Sequence, residues 1–144
     1  MNYETLFSTV GLIAMSGWIA LLLSPIKPKW SDLYAGLIAP LVLSAVYIWT
    51  VLMPNTSGGG FRSFAEVSLL FTSPNAVMAG WIHFLAFDLF VGAWICRRAR
   101  QEQISYWLVL PTLPLPLMYG PAGFLAFCGV QGAYKIARSA KPAM

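Results

Sequence analysis

The chain has 144 residues, of which 58% are hydrophobic and only 10% charged, with nine Lys or Arg, five Asp or Glu, and a mean hydropathy of +0.69. Soluble domains carry about a quarter charged residues, so this balance excludes an ordinary soluble enzyme and points to an integral membrane protein. Nothing resembles a nucleic-acid surface, a phosphate loop or a repeat array. Cys96 and Cys128 are too far apart in sequence to suggest a metal pair or a disulfide framework, and read as small apolar residues.

Residues 5–26, 33–61 and 103–134 contain no Asp, Glu, Lys or Arg, and residues 74–96 are interrupted only by His83 and Asp88. Each can supply the roughly 20 apolar residues of a spanning helix. The first helix is expected over about residues 4–24, ending at Ser24-Pro25 because proline cannot continue the backbone ladder. Its acidic flank, Glu4, and its length differ from a cleaved leader, so the mature chain is expected to start at Met1, in a bacterial plasma membrane. The loop IKPKWSD offers Trp30 as an interfacial anchor and Ser31 or Asp32 as caps for helix two, which runs to about Met53. PNTSGGG supplies turn chemistry. FRSFAEVSLLF reads as a short interfacial helix. Ser73-Pro74 opens helix three, which ends near Arg97, Arg98 and Arg100.

The last apolar segment is too long for one straight span and contains Pro111, Pro114, Pro116 and Pro121 beside Gly120 and Gly123. Inside a helix, Pro111 would release the carbonyl of Trp107, and Pro114 that of Leu110. A kinked or broken fourth helix is expected. The fold class is therefore all-α: one membrane domain over residues 1–144, a four-transmembrane-helix bundle with a short interfacial helix and a proline-broken last helix. Four spans would put Lys27, Lys29, Arg97, Arg98 and Arg100 on one side and Arg62, Lys135, Arg138 and Lys141 on the other. Five against four gives no orientation.

His83 and Asp88 are the chemical anomaly. A charged Asp at a helix centre costs about 2.5–3.5 kcal/mol on insertion scales, so Asp88 must face a cavity or partner, or be protonated. The two residues stand about 140° apart around their helix. His83 aligns with Phe87 and Phe90, and Asp88 with Trp81, Phe84, Leu85 and Gly92. Tyr47, Arg62, Asn75, Tyr119 and Gln131 are candidate partners. The same pair can equally serve only to tie neighbouring helices together.

The pattern W-x-H-x(4)-D-L (Trp81, His83, Asp88, Leu89), followed by G-P-x-G-x-L (Gly120, Pro121, Gly123, Leu125), resembles the abscisic-acid-deficient-four-like family of neoxanthin-synthase-like integral membrane proteins. Members often carry an arginine five residues after the aspartate, where this chain has Ala93; Arg97 lies one turn further. The resemblance implies carotenoid chemistry, in plants the opening of violaxanthin's epoxide to the allene of neoxanthin. Such an isomerisation needs an acid at the epoxide oxygen, a base at the departing proton and tolerance of positive charge. On that implication His83 and Asp88 are the catalytic pair, and Trp81, Phe84, Phe87 and Tyr119 line the substrate site.

The expected partners are a lipophilic polyene, membrane lipids and a second copy of the chain. No cofactor, metal or nucleic acid is expected. The alternative is a non-catalytic carotenoid-binding or membrane assembly subunit.

Overall fold

In the computed structural model, which describes residues 2–54 and 57–140, three long apolar helices stand side by side and the last third of the chain folds back on itself. Asn55 and Thr56 of the expected turn, and Lys141, lie outside the described residues.

Helix α1 spans Tyr3–Leu22, opened by the Asn2 side chain accepting from the Thr5 amide. The second crossing, Pro28–Val51, is 24 residues long. It begins as α2 (Pro28–Leu33), widens into one π turn (Tyr34–Ile38) and continues as α3 (Ala39–Val51). Its start precedes the expected Ser31 or Asp32 cap, because a proline at the first helical position is already preorganised. The π turn accommodates Pro40, which has no N–H for the carbonyl four residues back; Ala39 donates instead to Tyr34. A short helix, α4 (Phe64–Leu70), follows, capped by Ser63, with no buried residue. Helix α5 (Pro74–Gln101) has 28 residues, about 42 Å at 1.5 Å per residue, and forms the mast of the bundle.

Contacts along α5 set the register. At its start, Asn75 accepts from the Tyr3 hydroxyl at 2.7 Å and donates to the Pro54 carbonyl at 3.3 Å. Further along, Trp81 stacks on Phe7 at 5.2 Å, and Tyr47 meets His83 at 5.7 Å. At its end, Arg100 donates to Ser24 at 3.2 Å and pairs with Asp32. Thus α1 runs parallel to α5, and the second crossing antiparallel.

The fourth apolar segment does not cross. It comprises α6 (Tyr106–Val109), a 3₁₀ turn (Leu110–Thr112), α7 (Pro114–Tyr119) and α8 (Pro121–Ser139). Tyr106 donates to the last carbonyls of α1, Leu21 and Leu22, which places the entry at the α5 end. The chain then reaches Gly120, which sits against Asp88, the midpoint of α5. From there α8 runs back alongside α5: Trp94 meets Phe124 and Phe127 at 5.4 and 5.7 Å, and the Tyr134 hydroxyl donates to the Gln103 carbonyl at 2.9 Å. The expected fourth span is therefore a helical hairpin that enters and leaves on one side. The prolines explain the breaks. Those at 114 and 121 occupy first helical turns, and the Leu110 carbonyl released by Pro114 is taken by the Leu113 amide at 3.2 Å.

The charge distribution changes accordingly. Lys135 lies 3.1 Å from Glu102, which also pairs with Arg98 at 2.7 Å, and Arg138 donates to the Gln103 side chain at 3.4 Å. Lys135 and Arg138 thus share a side with Arg97, Arg98 and Arg100, not the opposite one. Burial pushes the Glu102 carboxyl up, but hydrogen bonds from Lys135 and Gln131 and the charge of Arg98 outweigh it, leaving Glu102 below its ordinary range.

Two apolar clusters follow from this layout. The one around Val10, Leu43, Ile82 and Leu85 is made by the three crossings. The one around Leu21, Leu89, Ile95, Leu113 and Phe127 includes the hairpin. The hairpin's arms touch at Gly123, where any Cβ would overlap the Pro116 ring and its backbone nitrogen. Gly123→Ala should therefore destabilise the protein by about 1–3 kcal/mol, the usual cost of overpacking, read as a lower melting temperature in detergent. An unchanged melt would show that the arms do not pack this closely.

Candidate functional site

Asp88 is 7% exposed, and its Oδ2 atom is buried without a hydrogen-bond partner among the described residues. An unsatisfied buried polar atom costs about 1–3 kcal/mol, more when charged, so its retention calls for a reason. Opposite stands Gly120, with φ +23° and ψ −85°, a conformation that L side chains rarely adopt. A Cβ built there would lie 2.5 Å from Asp88 Oδ1. Gly120 is thus needed twice, for the reversal of the chain and for the approach of the carboxyl. It is also the N-cap residue of α8, so Asp88 meets the positive end of a 19-residue helix.

On the Asp88 face of α5, towards its start, come Phe84 and then Trp81, rings 5.7 Å apart, with Phe7 stacked beyond. Hairpin residues join only the cluster at the other half of α5. The aromatic ledge is therefore open to the side: Trp81 is 36% exposed, and Tyr119, next to the reversal, is 65% exposed. The site comprises a carboxyl at mid-depth, a constricted glycine turn, and a run of rings leading away from both.

His83 is on the other flank. It is exposed, stacks on Phe87 at 4.6 Å, and lines a 570 Å³ pocket with Tyr47, Thr50, Phe61, Phe71 and Asn75. Phe87 also borders a separate depression with Gly36, Pro40 and Ser44. So Asp88, Trp81 and Phe84 share one face of α5, with Tyr119 next in the chain to the Gly120 turn, whereas His83 and Phe87 face α3. Of the candidate partners, Tyr47 and Asn75 surround His83, Arg62 pairs with Glu66 at 4.0 Å, and Gln131 bonds Glu102.

Arg97 does not stand in for an arginine at position 93. Ala93 is fully buried against Gly36, and the Arg97 guanidinium covers that same π turn, on the side of α5 away from Asp88. Two contacts of the site escaped sequence reasoning. Phe7 lies in α1 among Thr5, Ser8 and Thr9, a pattern that does not distinguish it from the other large apolar residues of that helix. Gly120 was visible in its motif, but its contact with Asp88 required the reversal of the chain.

A family profile described as ABA DEFICIENT 4-like matches residues 5–127, which include both Asp88 and Gly120. No match was found among curated proteins or among solved structures. The chain belongs to the ABA DEFICIENT 4-like family.

An orphaned carboxyl oxygen makes Asp88 a burden on stability. Asp88→Asn, which keeps the shape and removes the charge, should leave the melting temperature unchanged or raise it by a few degrees. Gly120→Ala should lower stability by about 1–3 kcal/mol through strain and the collision with Asp88. A large loss of stability in Asp88→Asn would show instead that the carboxylate holds the hairpin.

Proposed function

We propose that this protein is an intramembrane isomerase of a carotenoid-type polyene, with Asp88 exchanging protons and the ledge of Trp81, Phe84 and Tyr119 seating the reacting end. The observation that carries this reading is the buried, unpartnered Asp88 oxygen at the turn of the hairpin. It joins the two sequence motifs of the family in one place. Carotenoid chemistry is drawn from the family resemblance, and the geometry around Asp88 supports siting it there.

Opening an epoxide to an allene is proton-neutral. The C–O bond breaks as the oxygen takes a proton, and the resulting cation sheds a neighbouring C–H proton to form the new double bond. A carboxyl has two oxygens, so Asp88 can donate from one and recover a proton at the other, closing the balance alone. The flanking rings stabilise the transient cation through their π faces, and exclusion of water protects it from hydrolysis. On this reading His83 takes no part in the proton exchange, since it faces a different pocket.

The second reading, a carotenoid-binding or assembly subunit, draws on that same separation: polar groups on opposite flanks of α5 can each anchor a different neighbour. Pigment extraction from carotenoid-producing cells separates the two. The wild-type chain should generate a new polyene isomer. Asp88→Asn should reduce its yield by about 10²-fold or more, the usual weight of a positioned acid–base group, while His83→Ala stays within a few-fold of wild type. Full turnover by Asp88→Asn would refute the assignment. Pigment that co-purifies unaltered with the wild-type chain would establish the binding role.

A further inference from the structure

We infer that the end of the bundle where α5 terminates docks on the anionic phospholipid headgroups of the cytoplasmic leaflet, so that α1 starts outside and the hairpin enters from the inside. This follows from the hairpin and does not depend on the chain's activity.

Because α8 returns to the side from which α6 entered, seven of the eight described Lys and Arg lie at this end: Lys27, Lys29, Arg97, Arg98, Arg100, Lys135 and Arg138. Among the described residues only two side-chain carboxylates share it, Asp32 and Glu102, and they are occupied by Arg100, Arg98 and Lys135. The cationic surplus is five. At the opposite end stand Arg62, Glu66 and Glu4, with Arg62 already facing Glu66. That end carries a surplus of one negative charge.

Loops close to membrane-spanning helices that carry such a Lys/Arg excess remain on the cytoplasmic side. Once there, basic side chains near the surface are attracted by the anionic lipids of that leaflet. Trp30 and Trp107, 69% and 77% exposed, stand at the same end, where an amphipathic ring suits the headgroup layer. A chain with four crossings would carry Lys135 and Arg138 to the other face and leave too small a bias to orient it; the reversal at Gly120 creates a large one.

Cysteine accessibility tests this. In a background with Cys96 and Cys128 replaced by alanine, single cysteines replace Lys29, Arg62 and Ser139, and intact bacterial cells are treated with a membrane-impermeant maleimide. Arg62→Cys should label in intact cells, and Lys29→Cys and Ser139→Cys only after permeabilisation. Labelling of Ser139→Cys together with Arg62→Cys in intact cells would establish a fourth crossing and overturn the inference. Labelling of Lys29→Cys in intact cells would invert the orientation and overturn it as well. A green fluorescent reporter fused after the last residue of the wild-type sequence gives a readout independent of those substitutions. Bright cells support a cytoplasmic end, and expressed but dark fusions refute it. For the lipid contact, the wild-type chain should melt at higher temperature in phosphatidylglycerol nanodiscs than in phosphatidylcholine. That difference should shrink in a Lys27→Gln, Lys29→Gln, Arg97→Gln variant; no difference for the wild type would refute headgroup docking.

Discussion

In hydrocarbon an unpaired amide or carbonyl costs several kcal/mol, so a chain can reverse direction at bilayer depth only where other protein shields the turn. That constraint governs the last third of this molecule. Four prolines weaken the backbone ladder of a single helix, and the chain responds by splitting into short pieces whose carbonyls find local partners: Leu113 N–H for Leu110, and the Thr112 hydroxyl for Val109 at 2.7 Å. The reversal at Gly120 survives because α5 lies directly behind it. Shielding the turn and burying Asp88 are thus the same event, seen from two sides.

Lipid tails are as apolar as leucine, so the crossings gain little from burying aliphatic surface and depend on close approach. Ala93 meets Gly36 across the α5 interface, while Gly92 lies where a Cβ would strike the rim of Trp18. The polar contacts are concentrated at the ends: Tyr3 with Asn75 on one side, Arg100 with Asp32 and Ser24 on the other. These end ties help define register for the three helices. Ser16 and Tyr34, 2.7 Å apart, make a further link between α1 and the π turn.

The three crossings were legible because composition and breaker residues mark them: Ser24-Pro25 after α1, and Ser73-Pro74 before α5. The breaks in the final segment were also legible, since proline leaves a local signature. Its direction of travel was not. Whether a broken helix continues or returns is decided by what lies behind the break, here Asp88 and the parallel course of α8, and no local pattern encodes that. The charge count fails for the same reason: only a fourth crossing would put Lys135 and Arg138 on the face of Arg62, and they lie at the α5 end. The angular separation of His83 and Asp88 around α5 was readable from 3.6 residues per turn and holds, and it puts them beside different neighbours.

The half-depth hairpin also constrains how a polyene could meet Asp88 under the proposed function. The cluster at the basic half of α5 is filled by Leu113 and Phe127, which closes that half of the face. Approach is left from the half where Trp81 is exposed and Phe84 half-buried, along the α1–α5 seam marked by the Phe7–Trp81 stack. Half a hydrocarbon core is about 15 Å, whereas a carotenoid is roughly as long as the whole core. A rod with one end at Asp88 therefore cannot stand upright within that half; it must tilt along the seam or lie across the bundle. The contact of Gly120 with Asp88 leaves no room even for a methyl group. The terminal ring would therefore rest beside the carboxyl on the Trp81–Phe84 ledge, and selectivity would rest on the end group that lies flat there, with the length of the polyene counting for little.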